Sequence, residues 1–320
     1  MMKAVHQESL TTWFADLIRA LKPTVVHTHH YAHMGLEFLR VIKQVDPSIR
    51  IVMTLHEYMA ICRNNGQMIK TGSFKLCSRE SYDECHRCFP DKTPEDFWLR
   101  KHTFMKHFAL VDQFVSPSEF LRQRYIAWGI APDKIVVIEN GQSDEAPLPP
   151  RPLAEGETRN RFGFFGQINP FKGLDVLLEA LTLMPKEEFQ QKIEELRAPL
   201  IKQGVLQWVG PYQPHELRSR MAGVDWVVVP SIWWENSPMV IQEAFVCGRP
   251  LLVSDIGGMK EKVRNGVDGV CVPAGNQFAW TRILSSSSSD NDGWNRYHIA
   301  ISQPATSQMV AELHFGKTEI

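Results

Sequence analysis

Two carboxylates, Glu235 and Glu243, stand eight positions apart in the stretch 231–248. Carboxylate oxygens accept hydrogen bonds from neutral hydroxyls, such as those of a ribose or a hexose. An apolar run at 226–230 comes just before and is short enough to form a buried parallel strand. A helix that follows such a strand offers free N–H groups and the positive end of its dipole to an anion. Two carboxylates that can accept hydrogen bonds from hydroxyl groups thus lie beside a site for an anion. This combination predicts that a sugar nucleotide binds here.

The bounds of this helix are predicted from its end signals. Ser237 is typical of an N-cap and Pro238 of a first helical residue. Gly248 is typical of the left-handed residue that follows a last helical turn. Glu235 then falls on the loop after the strand, and Glu243 in the second turn of the helix.

A second segment, Phe162–Gly173, has the composition of a phosphate-binding loop. Phe162–Gly166 predicts a strand that runs into a tight turn, and Lys172 with Gly173 opens a helix. Glycines let the backbone approach a diphosphate closely, and a lysine supplies a compact positive charge to a leaving group. The helix is predicted from the spacing of four leucines, Leu174, Leu177, Leu178 and Leu181.

The spacing Glu235-x7-Glu243, followed by Gly248-Arg-Pro250, resembles the donor motif of the family-4 retaining glycosyltransferases of the GT-B fold. Other segments resemble motifs of that family and occur in the family's order: Thr54–Tyr58, Ser116–Leu121, Glu139–Gly141, Gly166–Gly173, and Asp255–Gly258 followed by Glu261. The resemblance covers about residues 20–280. It implies an α/β fold in which two Rossmann-like parallel-sheet domains face each other across a cleft.

The resemblance also implies roles for individual residues. His56, Lys172 and Glu235 are the implied catalytic residues. His56 and Glu235 would contact the donor sugar, Lys172 the departing diphosphate, and Glu243 the ribose. No divalent metal is implied, because Lys172 and helix dipoles stabilise the leaving group. The implied donor-binding residues are Gly166, Gln167, Lys172, Asn236, Ser237, Pro238, Met239, Val240, Glu243, Gly257 and Gly258.

One residue of the phosphate segment departs from the family's pattern. The family has an arginine where this chain has Gln167. Glutamine donates a hydrogen bond without a charge, and the loss of a charged contact costs roughly 1.5–3 kcal/mol. This departure leaves open a non-catalytic sugar-nucleotide-binding protein or a truncated remnant.

The alternation of strand-like and helix-like segments predicts parallel βαβ units in two domains. Residues 1–142 are expected to form an incomplete acceptor-side domain with a Cys-rich insert at 62–90, and 143–160 a linker. Residues 161–282 are expected to form the donor domain, and 283–320 a divergent or disordered tail. The family's first strand and its glycine-rich loop are not recognised, so we expect a shortened N-terminus.

The predicted helices are Leu10–Leu21, Met34–Val45 and Pro117–Ala127. The predicted strands are Thr24–Thr28, Ile51–Leu55, Gln113–Ser116, Ile135–Ile138, Arg161–Phe165, Val205–Val209, Trp226–Val229, Pro250–Ser254 and Val270–Val272.

Charge and hydropathy narrow the class of protein. The 35 basic and 36 acidic residues balance, which argues against bulk nucleic-acid binding. No apolar run approaches the length of a membrane span, and the first residues lack the apolar core of a signal peptide. We expect a cytoplasmic protein. Peripheral attachment to the inner face of a membrane stays open, because many members of the family glycosylate lipid-linked acceptors.

Histidines and cysteines form two further groups. His27, His29, His30 and His33 follow a predicted strand, and a polar rim of the acceptor site is favoured over a metal site. The spacing His29-x3-His33 would bring two rings together only on a helix. In the insert, Cys62, Cys77, Cys85 and Cys88 could hold a structural zinc, since Cys85-x2-Cys88 has ligand spacing. Unmetallated thiols are the alternative.

The predicted function is transfer of a hexose from a nucleoside-diphosphate sugar to a hydroxyl acceptor: a glycan, a lipid-linked sugar or a small molecule. A GT-B epimerase is a third alternative beside the binding protein. The pair Glu235-x7-Glu243, together with Gly257-Gly258, favours the transferase.

Overall fold

The computed structural model describes residues 8–73, 75–182 and 189–318. The chain divides into two compact units. The first takes residues up to 139 and from 309 onward, and the second takes 140–308. Within the described residues, no helix combines the length and the apolar character needed to cross a bilayer.

The first unit is built on a parallel sheet whose strands follow one another in chain order. The predictions for these four strands are confirmed. The strands are β1 Val25–Thr28, β2 Arg50–Thr54, β3 Gln113–Ser116 and β4 Ile135–Val137. The helices are α1 Glu8–Leu21, α2 Glu37–Val45, α3 Tyr82–Cys88, α4 Pro94–Phe108 and α5 Glu119–Trp128, joined by most of the C-terminal helix α13, Ser307–Thr318.

Aromatic packing fixes α4 and α5 on this sheet. The ring of Phe108 lies 5.3 Å from that of Phe114 on β3 and 6.2 Å from that of Trp128 on α5. On the other side of the strands, Val310 of α13 packs against Val52 and Val115. The sheet is therefore covered on both faces, as parallel sheets are.

The second unit repeats this architecture. Its parallel strands, again in chain order, are β5 Phe162–Phe164, β6 Trp226–Val229, β7 Leu251–Ser254 and β8 Gly269–Val272. Its helices are α6 Leu174–Thr182, α7 Phe189–Lys202, α8 Leu217–Ala222, α9 Met239–Val246, α10 Gly257–Lys262, α11 Gln277–Ser287 and α12 Asn291–Ala300.

Alternate residues of the strands feed two separate cores. Val228 and Leu252 pack on one face, with Trp294 of α12. Val227 and Leu251 pack on the other face, with α9 and α10. A parallel sheet between two layers of helices confirms the predicted α/β class.

One predicted strand, Val205–Val209, is wrong. These residues form a turn and irregular chain after α7, and both valines are exposed. The N–H groups of Val205 and Leu206 both donate to the carbonyl of Leu200, so the chain still closes the helix where the apolar pattern predicted a strand.

The expected disorder of residues 283–320 is also wrong for the described part of that range. Three helices occupy it, and the serine run at 285–289 lies at the end of α11. Trp294 is fully buried, and its indole N–H donates to the carbonyl of Asp225 at 2.8 Å. His298 Nδ1 lies 2.7 Å from the carbonyl of Gly248.

The predicted linker 143–160 has neither helix nor strand but is anchored within the second unit. Asp225 is fully buried and binds two arginines of this segment. Arg151 lies 2.9 Å and Arg159 3.0 Å from its two carboxylate oxygens. Charge-assisted hydrogen bonds of this kind hold an irregular segment without secondary structure.

Gly173 is the most constrained glycine of the second unit. Its φ is +67°, and a Cβ there would lie 1.9 Å from the carbonyl oxygen of Pro230. Gly266 has a similar φ of +79° and nothing within 4 Å of a Cβ. Both alanine variants carry the cost of a left-handed residue, about 1–2 kcal/mol. Gly173→Ala should lower the free energy of unfolding by at least about 1 kcal/mol more, because the backbone must also move. Chemical denaturation measures both, and equal losses would contradict the close contact.

Candidate active site

The loop after β5 presents the predicted phosphate segment. Gly166 and Gln167 are exposed. The Asn169 side chain accepts hydrogen bonds from the N–H groups of Phe171 at 3.0 Å and Lys172 at 3.2 Å, which forms an Asx turn. This turn sets the backbone that leads from the strand into α6. Sequence reasoning did not assign Asn169 a role, although asparagine is a common turn residue.

Lys172 and Glu235 were predicted to belong to one site, and in the structure they form an ion pair. Lys172 Nζ lies 2.6 Å from Glu235 Oε1. The same oxygen accepts hydrogen bonds from the Ser231 hydroxyl at 2.8 Å and the Trp233 indole N–H at 2.9 Å. Three donors on one oxygen fix the buried carboxylate in a single position. Its second oxygen, Oε2, has no hydrogen-bond partner among the described residues.

Ser231 and Trp233 were missed as site residues. They lie in the same loop as Glu235, four and two positions earlier, and only their contacts show their role. The Trp233 ring also stacks on Phe171 at 5.4 Å and lies 5.9 Å from Lys172 Nζ. An aromatic face near an ammonium stabilises the cation, so Trp233 supports both members of the pair.

Gly257 and Gly258 bring the loop after β7 against the backbone of Glu235 and Asn236. The N–H of Gly258 donates to the Glu235 carbonyl at 2.7 Å. A Cβ on Gly258 would lie 2.0 Å from the Asn236 carbonyl oxygen, and Gly257 has a φ of +58°. Only glycine allows this approach, so the pair locates the main chain that carries Glu235.

Helix α9 begins one residue later than predicted, at Met239, and Pro238 takes the N-cap position. The prediction of Ser237 as N-cap is therefore wrong. Its hydroxyl is buried and makes no hydrogen bond to the described residues, so no side chain caps the helix. Val240 is half-buried and Met239 is exposed at this end. The first turn keeps N–H groups that an anion can approach.

The end of α9 follows the prediction. Gly248 has a φ of +68°. Its N–H donates to Phe245, and that of Arg249 to Ala244, as in a Schellman motif.

Glu243 is half-buried in the second turn of α9. Burial raises the pKa of its carboxyl group. No described residue donates a hydrogen bond to this carboxylate, in contrast to Glu235. Burial raises the pKa of the Tyr212 hydroxyl, and the negative charge of Glu243 raises it further. A carboxylate with free acceptor capacity suits hydroxyl groups of a ligand.

His56 follows β2 in the first unit and contacts the histidine group. Its Nε2 lies 3.1 Å from His29 Nδ1. His27 Nε2 lies 2.8 Å from the Thr54 hydroxyl, and its ring packs on His29 at 4.5 Å. His314 of α13 also packs on His27, at 4.9 Å, and was missed because that part of the chain was expected to be disordered.

Burial and neighbouring rings lower the proton affinity of His27 and His56. Partial burial lowers the pKa of His27 to about 4, with help from His29, His314 and His56. Burial and then His29 and His30 lower the pKa of His56. His56 is therefore neutral at pH 7 and can both donate and accept a hydrogen bond. Residues 29–33 form no helix, and the described residues contain no group of three or more His, Cys, Asp or Glu arranged to hold a metal ion.

The four cysteines of the insert are free, half-buried thiols and do not form such a group. Burial raises the pKa of Cys85 to about 11, with contributions from Glu80, Cys77 and Cys62. The Cys77 thiol donates to the carbonyl of Arg79 at 3.1 Å. A zinc ion at these residues stays a prediction, which elemental analysis of the protein can test.

The low pKa of His27 can be measured. In an NMR titration, His27 should titrate near pH 4. His29→Ala should raise this pKa because it removes a neighbouring charge, whereas His102→Ala, on α4, should leave it unchanged. An unfolded histidine titrates near 6.5. The folded pKa is lower, so this contribution to stability is present above about pH 6.5 and is lost as pH falls toward 4. Titration of His27 at an ordinary pKa would contradict the packing.

Two family descriptions match the chain, one on each unit. Residues 9–145 match the model described as Glycosyltransferase Family 4, and residues 150–301 the model described as Glycosyl transferases group 1. Similar proteins include a D-inositol 3-phosphate glycosyltransferase of Xylanimonas cellulosilytica, 30% identical over 62% of this chain and 52% of its own length. Another, from Streptosporangium roseum, is 27% identical over 55% of this chain and 47% of its own. The chain thus spans about half the length of these curated relatives.

Solved structures share the fold. Anabaena HepE, in complex with UDP and glucose, has a TM-score of 0.69 at 17% identity. The match covers 100% of this chain and 83% of the HepE chain. A glycosyltransferase from Rickettsia africae has a TM-score of 0.64 at 15% identity, with coverage of 97% and 80%. The two family matches occupy most of the chain and the fold agrees with them, so the chain belongs to the family-4 glycosyltransferases and has the α/β, two-domain GT-B fold.

Proposed function

We propose that this protein is a retaining glycosyltransferase that moves a hexose from a nucleoside-diphosphate sugar to a hydroxyl acceptor. The pairing of Lys172 with Glu235 carries the proposal. It places a cation and a buried carboxylate together where β5 and β6 end, beside the uncapped start of α9. Ligands of open α/β sheets bind at the carboxyl ends of the strands.

In this proposal Lys172 stabilises the departing diphosphate. Its ammonium is bound to Glu235 in the structure, and a diphosphate would share or take over that contact. N–H groups at the first turn of α9 add a second source of positive potential. Positive groups fixed before the reaction favour charge that develops on the leaving group. No divalent metal is required in this scheme.

The carboxylates divide the hydroxyl groups of the donor between them. Glu235 keeps Oε2 for a hydroxyl of the hexose, because its other oxygen is occupied by three protein donors. Glu243 has no protein donor among the described residues and would bind the ribose. His56, neutral at pH 7, would act on a hydroxyl of the hexose, as the family resemblance implies. The leaving phosphate would take the proton of the acceptor on the same face, as the family resemblance implies.

The relatives support the classes of donor and acceptor. HepE was crystallised with UDP and glucose, which favours a uridine nucleotide as the first donor to test. The relatives named D-inositol 3-phosphate glycosyltransferase favour an acceptor with several hydroxyl groups.

A second candidate function is sugar-nucleotide binding without transfer. Gln167 favours it, because this exposed side chain brings no charge to the phosphate segment. Such a protein would bind a nucleoside diphosphate and release none from a sugar nucleotide, even with an acceptor present.

Release of nucleoside diphosphate from a panel of sugar nucleotides tests the transferase. Transfer should need an acceptor, and Lys172→Met should lower kcat by about 10²–10³, the usual effect of removing one group that stabilises charge in the transition state. Lys202→Met, at the end of α7, is the control and should leave kcat unchanged. Binding without turnover would favour the second candidate, and no binding would remove both.

The role of Glu243 is tested by separating ribose from phosphate. Glu243→Gln should weaken UDP binding by roughly 1.5–3 kcal/mol, because a charged acceptor is lost. It should leave the affinity for inorganic pyrophosphate unchanged, whereas Lys172→Met should weaken both. Calorimetry measures these affinities, with Glu216→Gln as an isosteric control in the same unit. A loss of pyrophosphate affinity in Glu243→Gln would show that Glu243 does not act on the ribose.

A further inference from the structure

A cavity of about 450 Å³ lies in the first unit, between the Cys-rich insert and helices α4 and α5. Residues 78–83 of the insert form one wall, and Lys101 of α4 and Arg124 of α5 line the other. None of the described residues that line it belongs to the proposed reaction. The volume is within the usual range for small-molecule sites.

Glu80 is the group in this cavity that most needs a partner. Its side chain is 3% exposed. Oε2 accepts a hydrogen bond from the Trp128 indole N–H at 2.7 Å and lies 3.7 Å from Lys101 Nζ. Oε1 is buried and has no hydrogen-bond partner among the described residues. A buried carboxylate oxygen without a donor is unfavourable, so a ligand that donates a hydrogen bond would relieve it.

Cations outnumber carboxylates around this oxygen. Arg79, Lys101 and Arg124 line the cavity, against Glu80 and Asp83. Arg79 is exposed, and its guanidinium makes no hydrogen bond or ion pair with a described residue. A cationic ligand would be repelled, and a phosphate would find donors in the geometry that arginine offers.

The cavity also has an apolar side. Ile61, Met68 and Trp128 line it and are all buried. A bare phosphate ion would leave this side and Glu80 without contacts. A phosphate attached to a hydroxylated ring would place carbon atoms against the apolar side and one hydroxyl beside Glu80.

We propose that this cavity is a binding site for a sugar phosphate. The phosphate would bind Arg79 with Lys101 and Arg124, and a ring hydroxyl would donate to Glu80 Oε1. The site gives the insert a role that the proposed transfer reaction does not, and it is independent of that reaction.

Titration of the full chain with glucose 6-phosphate, followed by calorimetry, tests the proposal. Arg79→Ala should weaken binding at least about tenfold, the effect of a lost charged hydrogen bond. Glu80→Gln should weaken it to a similar extent. In the Glu80→Gln variant, the Trp128 indole N–H would bind the amide oxygen. The amide NH₂ group would then face the cavity, where the ring hydroxyl needs an acceptor. Inorganic phosphate should bind more weakly than glucose 6-phosphate and be insensitive to Glu80→Gln, and glucose alone should not bind detectably.

Two control variants separate this cavity from the surface charge of the insert and from the donor site. Arg87, an exposed arginine of the same insert that does not line the cavity, is the matched control, and Arg87→Ala should bind normally. Lys172→Met should also bind normally, because Lys172 belongs to the donor site in the second unit. The proposal fails if the native chain does not bind glucose 6-phosphate at millimolar concentration. It also fails if neither Arg79→Ala nor Glu80→Gln weakens binding, or if Lys172→Met abolishes it.

Discussion

The proposed donor site depends on backbone contacts that leave no room for a side chain. Three loops follow the parallel strands β5, β6 and β7, and they touch main chain to main chain. Gly173 lies against the Pro230 carbonyl, and Gly258 against the Asn236 carbonyl. Any Cβ at these points would push the loops apart. The distance from Lys172 to Glu235 is therefore set by glycines that carry no chemistry of their own.

This constraint explains how a charged pair can sit in a largely buried place. Taking an ammonium and a carboxylate out of water is unfavourable unless geometry and extra hydrogen bonds compensate. Here the hydroxyl of Ser231 and the indole of Trp233 supply those bonds, both to the oxygen that Lys172 contacts. If Lys172 turned toward a diphosphate, Glu235 would keep two neutral donors. The carboxylate would then stay in place for a sugar hydroxyl while the cation changes partner.

Much of this site could be predicted from local sequence, because its parts are local. The strand before Glu235, the helix that carries Glu243 and the glycines at 248 and 258 each have a short-range signal. The failures have both local and distant causes. Val205–Val209 has the composition of a strand, yet its valines are exposed and its N–H groups close helix α7. His314 meets His27 across most of the chain length, and Asp225 binds arginines more than sixty positions away. No periodicity encodes such contacts, and no turn residue signals that Ser237 gives up the N-cap position to Pro238.

Three carboxylates with little exposure to solvent show how hydrogen-bond partners separate structural from ligand-binding roles. Asp225 is saturated by Arg151, Arg159 and the backbone, which suits a purely structural group. Glu235 is saturated on one oxygen only, and Glu80 is bonded on one oxygen while the other is buried without a donor among the described residues. A fully paired carboxylate has nothing left to offer a ligand, whereas a half-paired one is fixed by the protein and still has acceptor capacity. By this criterion Glu235 and Glu80 are of one kind, although they lie in different units and belong to no common motif. A sugar hydroxyl is therefore proposed as the ligand of Glu80 on the same physical ground as for Glu235.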